Sequence, residues 1–227
     1  THLKVPAMTG MDNKGKPTKL PVSESVKELR KAIYQFTISA DKEIGPQHFD
    51  PEAVEASDMP KLVEAAERWW ADILSENGKM LFGFNHMKKM WALSNPDLSD
   101  ESGGLKTPAS VIFMDEAQDI NPVLGRVIAA QTSQKVYVGD ENQAIYQFMG
   151  AEDELQKVTV QHDLPLTKSY RFGEVIARNA NRYLRFKERF LGEKKTFAVE
   201  GAGKFPGEIV AAGSMKNAQA VLVRSNA

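Results

Sequence analysis

The sequence predicts an α/β protein in which a parallel-sheet core follows a long helical region. Two short apolar runs, Val111–Met114 and Val136–Val138, each empty into a cluster of acids and amides. Their β-branched and aromatic residues do not alternate with polar ones, the pattern of strands buried on both faces of a parallel sheet. Between them Asn121 can cap, and Pro122 can open, a helix carrying Leu124, Val127 and Ile128. A strand–helix–strand unit of this kind should cross over right-handed. It puts Asp115-Glu116 and Gly139-Asp140 together at the carboxyl ends of neighbouring strands, the edge where ligands bind in open α/β sheets.

The elements before that core read mostly as helix. Residues 1–21 are polar, contain Gly and Pro, and show no period, so a loop is expected. Ser25 with Glu28 three residues on has the form of a capping box, followed by Val26, Leu29, Ile33 and Phe36 at helical spacing. Asp50-Pro51 and Asp58-Met59-Pro60 read as two further helix starts. The second leads into an apolar face of Leu62, Val63, Ala66, Trp69, Trp70, Ile73 and Leu74 that stops before Gly78. The adjacent tryptophans fit packing of a helical subdomain better than base stacking. Phe82–Leu93 reads as another helix, with His86 a packing or surface residue, and 99–108 as a linker.

Beyond Gly150, Val158–Val160 and Leu164–Leu166 are strand candidates, and Glu174 to about Phe190 is a helix. Residues 194–207 read as loop, and the chain closes on strands around Glu208–Val210 and Ala220–Val223.

Composition narrows the function classes. The chain of 227 residues has 42% hydrophobic and 26% charged residues, which suits a globular protein with a real core. Zero cysteines exclude disulfides, thiolate metal sites and cysteine nucleophiles. No apolar run approaches ~18 residues, so no membrane-spanning helix is expected, and the first residues lack a signal-peptide pattern. The net charge of −1 hides a block from Lys168 to Lys204 with ten Lys/Arg against four Asp/Glu. Such a block is either a solvated helix face or a nucleic-acid contact.

The chemistry centres on the acids. Gly10–Lys16 fits G-x-x-x-x-G-K, but Pro17 stands where a magnesium-binding hydroxyl is needed, and no strand–turn–helix context surrounds it. A flexible turn is the better reading. Asp115 after a strand suits a magnesium ligand, and Glu116 suits a base for the attacking water. Gln143 can hydrogen-bond a γ-phosphate or its water. Tyr146 and Phe148 can present rings to bases or fill core under the sheet edge.

Asp-Glu-Ala-Gln-Asp (115–119), the run Val138–Ala151 and Leu-Thr-Lys-Ser-Tyr-Arg-Phe (166–172) resemble helicase motifs II, III and IV of the UvrD-like branch of superfamily 1. Within that branch, the run 169–177, the run 89–98 and the closing 221–227 look most like the F-box-containing DNA helicases. The resemblance covers about 85–227 well and 20–85 loosely. It implies a P-loop NTPase (RecA-like) core: 1–105 as a mostly helical inserted subdomain, 106–160 as part of the first RecA-like domain, and 161–227 as the start of the second.

It further implies an ATP-dependent helicase or translocase on single-stranded DNA, using ATP and magnesium. Asp115 would hold magnesium, Glu116 would be the catalytic base and Gln143 the γ-phosphate sensor. Tyr170 would stack on adenine, and Arg171 would be an arginine finger on the γ-phosphate. Tyr146 and Phe148 would contact single-stranded DNA, Phe148 standing where the family often has tryptophan. Two positions depart from the family pattern. Met149 replaces the arginine usual before Gly150-Ala151, and Glu141 sits where aspartate or proline is usual.

The resemblance also places a true phosphate loop before Thr1 and a second arginine finger after Ala227. The chain is therefore expected to be an internal, by itself inactive, portion of a larger helicase. Its expected partners are single-stranded DNA or a single/double-strand junction, and repair or recombination proteins, with no membrane. The expected compartment is cytoplasm or nucleoid in a prokaryote or phage, and nucleus in a eukaryote. Two other readings stand beside it: a helicase-like interaction or DNA-binding module without hydrolysis, and a metal-dependent nuclease using Asp115, Glu116, Asp119 and Asp140.

Overall fold

A computed structural model describes residues 3–11, 14, 16–100, 107–143, 158–192, 197–204 and 207–209. The chain divides into two compact units, Thr1–Thr159 and Val160–Ala227.

The first unit begins with a hairpin, where a loop was expected. Strands β1 (Thr9–Met11) and β2 (Pro17–Lys19) pair antiparallel, Gly10 opposite Thr18. The pairing is anchored by long-range contacts that no local pattern announces. Thr9 N donates to the buried Asp58 carboxylate at 2.6 Å, and Met8 is 2% exposed. Helix α1 (Val22–Ile38) starts directly after Pro21, three residues before the expected box. Ser25 and Glu28 are therefore inside the helix. Both are buried, neither caps, and Glu28 instead accepts from Lys31 at 2.8 Å. The Asp50-Pro51 start is also corrected: residues 51–54 make only a turn, in which Ala53 and Val54 N–H both return to Asp50 O.

Helix α2 (Met59–Leu74) forms as expected, and Leu62, Ala65, Ala66, Trp69 and Ile73 are its buried side, while Leu74 is exposed. Helix α3 spans Phe84–Leu93. Helix α1 packs on both α2 and α3, around a core that includes Leu29, Ile33, Phe36, Leu62 and Trp69. Trp70 stands edge-on to Phe36 with centroids 5.2 Å apart, so this tryptophan pair packs a helical core.

Strand β3 (Val111–Met114), helix α4 (Pro122–Ala129) and strand β4 (Gln134–Tyr137) follow. The two strands are parallel, with Phe113 opposite Val136. Asn121 Oδ1 accepts from Leu124 N at 3.2 Å, closing the helix start with the cap its position suggested. Val123 and Val127 of α4 pack with Ala92 of α3, which joins this part to the helical core. Burial on both faces is not found. Ile112 is 9% exposed but Phe113 is 72% exposed, because a two-stranded sheet covered on one side buries alternate residues.

Where the first unit gives way to the second, Val158–Val160 and then Leu164–Leu166 are not strands; Leu164 and Leu166 are largely exposed. Strand β5 (Lys168–Ser169) instead pairs parallel with β6 (Glu200–Gly201), which lies inside the segment read as loop. Between them helix α5 (Glu174–Phe186) runs into one π-helical turn, Lys187–Leu191. Asn181 ties the helix to the returning chain. Its amide donates to Val199 O and accepts from Val199 N, both at 2.8 Å. The closing strand near Glu208 is not seen at 208–209, and Val210 and Ala220–Val223 lie outside the described residues.

Candidate functional site

The site is built where β3 ends. Asp115 leaves the strand exposed, and its Oδ1 accepts from Glu116 N at 3.0 Å. Glu116 then takes a left-handed backbone, φ 50° and ψ 46°. A side chain bearing a Cβ resists that conformation by roughly 1–2 kcal/mol, so it persists where surrounding contacts impose it. Those contacts are visible. Ala117 N donates to Val138 O at 2.9 Å, and Val138 N donates to Met114 O at 2.8 Å, stitching the turn to the end of the neighbouring strand. Residues 117–119 then complete one 3-10 turn.

The turn is locked by a side chain that the sequence reading left without a role. Gln118 is 1% exposed. Its Nε2 donates to Glu116 Oε2 at 2.7 Å, and its Oε1 accepts from Asp140 N at 3.0 Å. Asp140 in turn organises the second loop. Its Oδ1 accepts from Asn142 N at 2.9 Å, and its Oδ2 accepts from Gln143 Nε2 at 2.7 Å. Asp115, Glu116, Asp140 and Gln143 thus share the carboxyl edge of β3 and β4. A glutamine two residues after the acid pair, inside an otherwise acidic motif, was the only signal for the link.

Arrangement limits chemistry. Asp115 offers a carboxylate at an exposed strand end, which fits one ligand of a magnesium ion completed by phosphate and water oxygens. Among the described residues no group of three or more His, Asp or Glu is gathered to hold a metal, so the four acids of the nuclease reading do not form one site. Glu116 Oε2 is engaged by Gln118, and its carboxylate is exposed. The Gln143 amide lies against Asp140 and would have to turn away from it to meet a phosphate. Gly10 belongs to β1 and Lys16 adjoins β2, so a strand, not a helix N-terminus, follows that turn.

The other expected residues fall elsewhere. Tyr170 and Arg171 lie in the second unit directly after β5, Tyr170 74% exposed, with Arg171 N donating to Ser169 Oγ at 3.3 Å. Tyr146, Phe148 and Met149 lie outside the described residues. No described helix is long and apolar enough to cross a membrane.

Comparison with known proteins places the chain in a helicase family. Residues 23–161 match the UvrD/REP helicase N-terminal domain. An F-box DNA helicase 1 of Gallus gallus is 31% identical over 164 residues, 66% of this chain and 15% of that protein. An F-box DNA helicase protein 1 of Schizosaccharomyces pombe is 29% identical over 171 residues, 68% of this chain and 18% of its own length. DNA helicase IV of Escherichia coli is 38% identical over 96 residues, 37% of this chain and 14% of that one. The chain thus spans less than a fifth of each of these relatives. With more than half its length matched by one family, the chain belongs to the UvrD/REP helicases.

Proposed function

We propose that the protein is an ATP-dependent DNA helicase or translocase on single-stranded DNA, and that this chain carries its hydrolytic water site. The observation that best supports it is the shared strand edge where Asp115, Glu116 and Gln143 meet. In this reading Asp115 holds magnesium, and Glu116 takes the proton of the water that attacks the γ-phosphate. Gln143 leaves Asp140 to read that phosphate. Bound ATP–magnesium supplies the scissile bond and the cation that neutralises its charge; the chain's residues orient the water and accept its proton.

Tyr170 and Arg171 serve adenine and the γ-phosphate, while Tyr146 and Phe148 contact DNA. Residues 1–105 are then a helical subdomain inserted in a first RecA-like domain that includes 106–160, and 161–227 open a second. The compartment and any repair or recombination partner follow from where such an enzyme meets DNA.

A second reading, a helicase-like module without hydrolysis, draws on one observation. Lys16 is followed by strand β2 and not by the helix N-terminus that a phosphate loop uses. The test is Glu116→Gln in the full-length protein. ATP binding should be retained while turnover falls about 10²-fold or more, because only the proton acceptor is lost. Hydrolysis near the wild-type rate in that variant would remove Glu116 as the base.

A further inference from the structure

We infer that Gln118 is a positioning residue for the hydrolytic water. Through its one buried amide it fixes the Glu116 carboxylate and the Asp140–Gln143 turn in a single arrangement. The inference rests on Glu116 being the base.

The amide's orientation is determined by chemistry. Asp140 N–H can only donate, so the atom facing it at 3.0 Å is the oxygen; the nitrogen must then face Glu116 Oε2, at 2.7 Å. A carboxylate and a backbone donor on opposite ends leave no equivalent flipped state. Gln118 itself is buried to 1% exposure, which holds its amide in place between the two partners. Holding Oε2 leaves the other carboxylate oxygen to face a reacting water.

Two features make this more than packing. Glu116 sits in the left-handed region, from which an unrestrained residue would relax, and its side chain is otherwise exposed. Asp140 is also the residue whose carboxylate engages Gln143, so the amide joins the expected base to the expected phosphate sensor. Moving one of these groups strains the bond to the other. Asp115 and Asp119 on the same turn are acids, as is Asp140 beyond the amide. A neutral donor can hold Glu116 here without adding charge.

The full-length protein tests this by a double-mutant cycle on steady-state ATP hydrolysis. Gln118→Met keeps most of the volume and removes both hydrogen bonds. Its kcat should fall roughly 10- to 100-fold while KM for ATP stays within about threefold, since misplacing a base costs rate and not ground-state affinity. In a Glu116→Gln background the same change should cost less than about twofold, because nothing remains to be positioned. Gln118→Glu keeps an acceptor for Asp140 N–H but sets a carboxylate against Glu116; it should be at least as slow.

Wild-type kcat in Gln118→Met, or an equal loss in both backgrounds, would overturn the proposal. So would loss of the folded state in both Gln118 variants, which would make the residue core packing. Full turnover in Glu116→Gln alone is a different failure, that of Glu116 as the base.

Discussion

Lys89 gives the sharpest test of how the helical region is held together. Its side chain is 1% exposed and reaches from α3 to the end of α1. There Nζ donates to Ser39 O at 2.9 Å and Asp41 O at 2.6 Å, and stands 3.9 Å from the centroid of the Phe36 ring. Burial, reinforced by the nearby Arg126 charge and only partly offset by Asp41, lowers its pKa from 10.5 to about 8. The folded state therefore binds the proton less tightly than the unfolded chain does. Below the folded value both states are protonated, and the full cost of burying the charge is present. Between about 8 and 10.5 the unfolded chain holds more protons, so stability rises with pH.

Between about pH 7.5 and pH 10 the gain is about 2 kcal/mol from this one group. Other lysines and tyrosines titrate in the same window, so Lys89→Met is the reference. It fills similar volume, loses the charge, and leaves the Ser39 and Asp41 carbonyls without their donor, a loss of roughly 1–3 kcal/mol for each that is buried. The volume and donor effects are constant across the window, and the charge effect is not. Urea unfolding at both pH values, followed by the fluorescence of Trp69 and Trp70, should show wild type gaining about 2 kcal/mol on Lys89→Met. Equal pH slopes for the two proteins would mean that Lys89 is not buried as a titrating group.

Three further outcomes follow from particular residues. In Gly201→Ala a Cβ would stand 2.4 Å from the Gly173 carbonyl, where the backbone cannot give cheaply. Thermal unfolding should show a loss of roughly 1–3 kcal/mol in the second unit, and an unchanged transition would refute the close approach of β6 to the start of α5. Phe148→Ala in the full-length protein should weaken single-stranded DNA binding by roughly 1–3 kcal/mol, the usual loss of one stacking ring, as read by fluorescence anisotropy. Unaltered affinity in a folded variant would return Phe148 to packing. The present chain, in which strand β2 and not a helix N-terminus follows Lys16, should release no phosphate from ATP even with saturating single-stranded DNA. Turnover near one per second that vanished in Lys16→Ala would make that turn a working phosphate loop.

Local, short-range chemistry was readable in the amino-acid order. Asn121 and Pro122 begin α4, and the β3–α4–β4 unit with its parallel pairing follows from two apolar runs and one cap. The face of α2 from Leu62 to Ile73 follows from helical period alone. The acid pair at the strand end and the order of the motifs pointed to the family that residues 23–161 match.

Signals that needed a distant partner misled or stayed silent. Ser25 and Glu28 have the spacing of a capping box, but Pro21 begins the helix earlier and core packing buries them. Asp50-Pro51 has the chemistry of a start without a following face to bury, so it remains a turn. The first hairpin depends on Thr9 meeting Asp58, 49 residues away. No local pattern marks Lys89 for burial until α1 ends beneath it, and none gives Gln118 a role until Asp140 arrives 22 positions later. Period and capping act over a turn or two of chain. Burial of a polar group and the left-handed backbone at Glu116 are set by which segments meet, and only tertiary structure decides that.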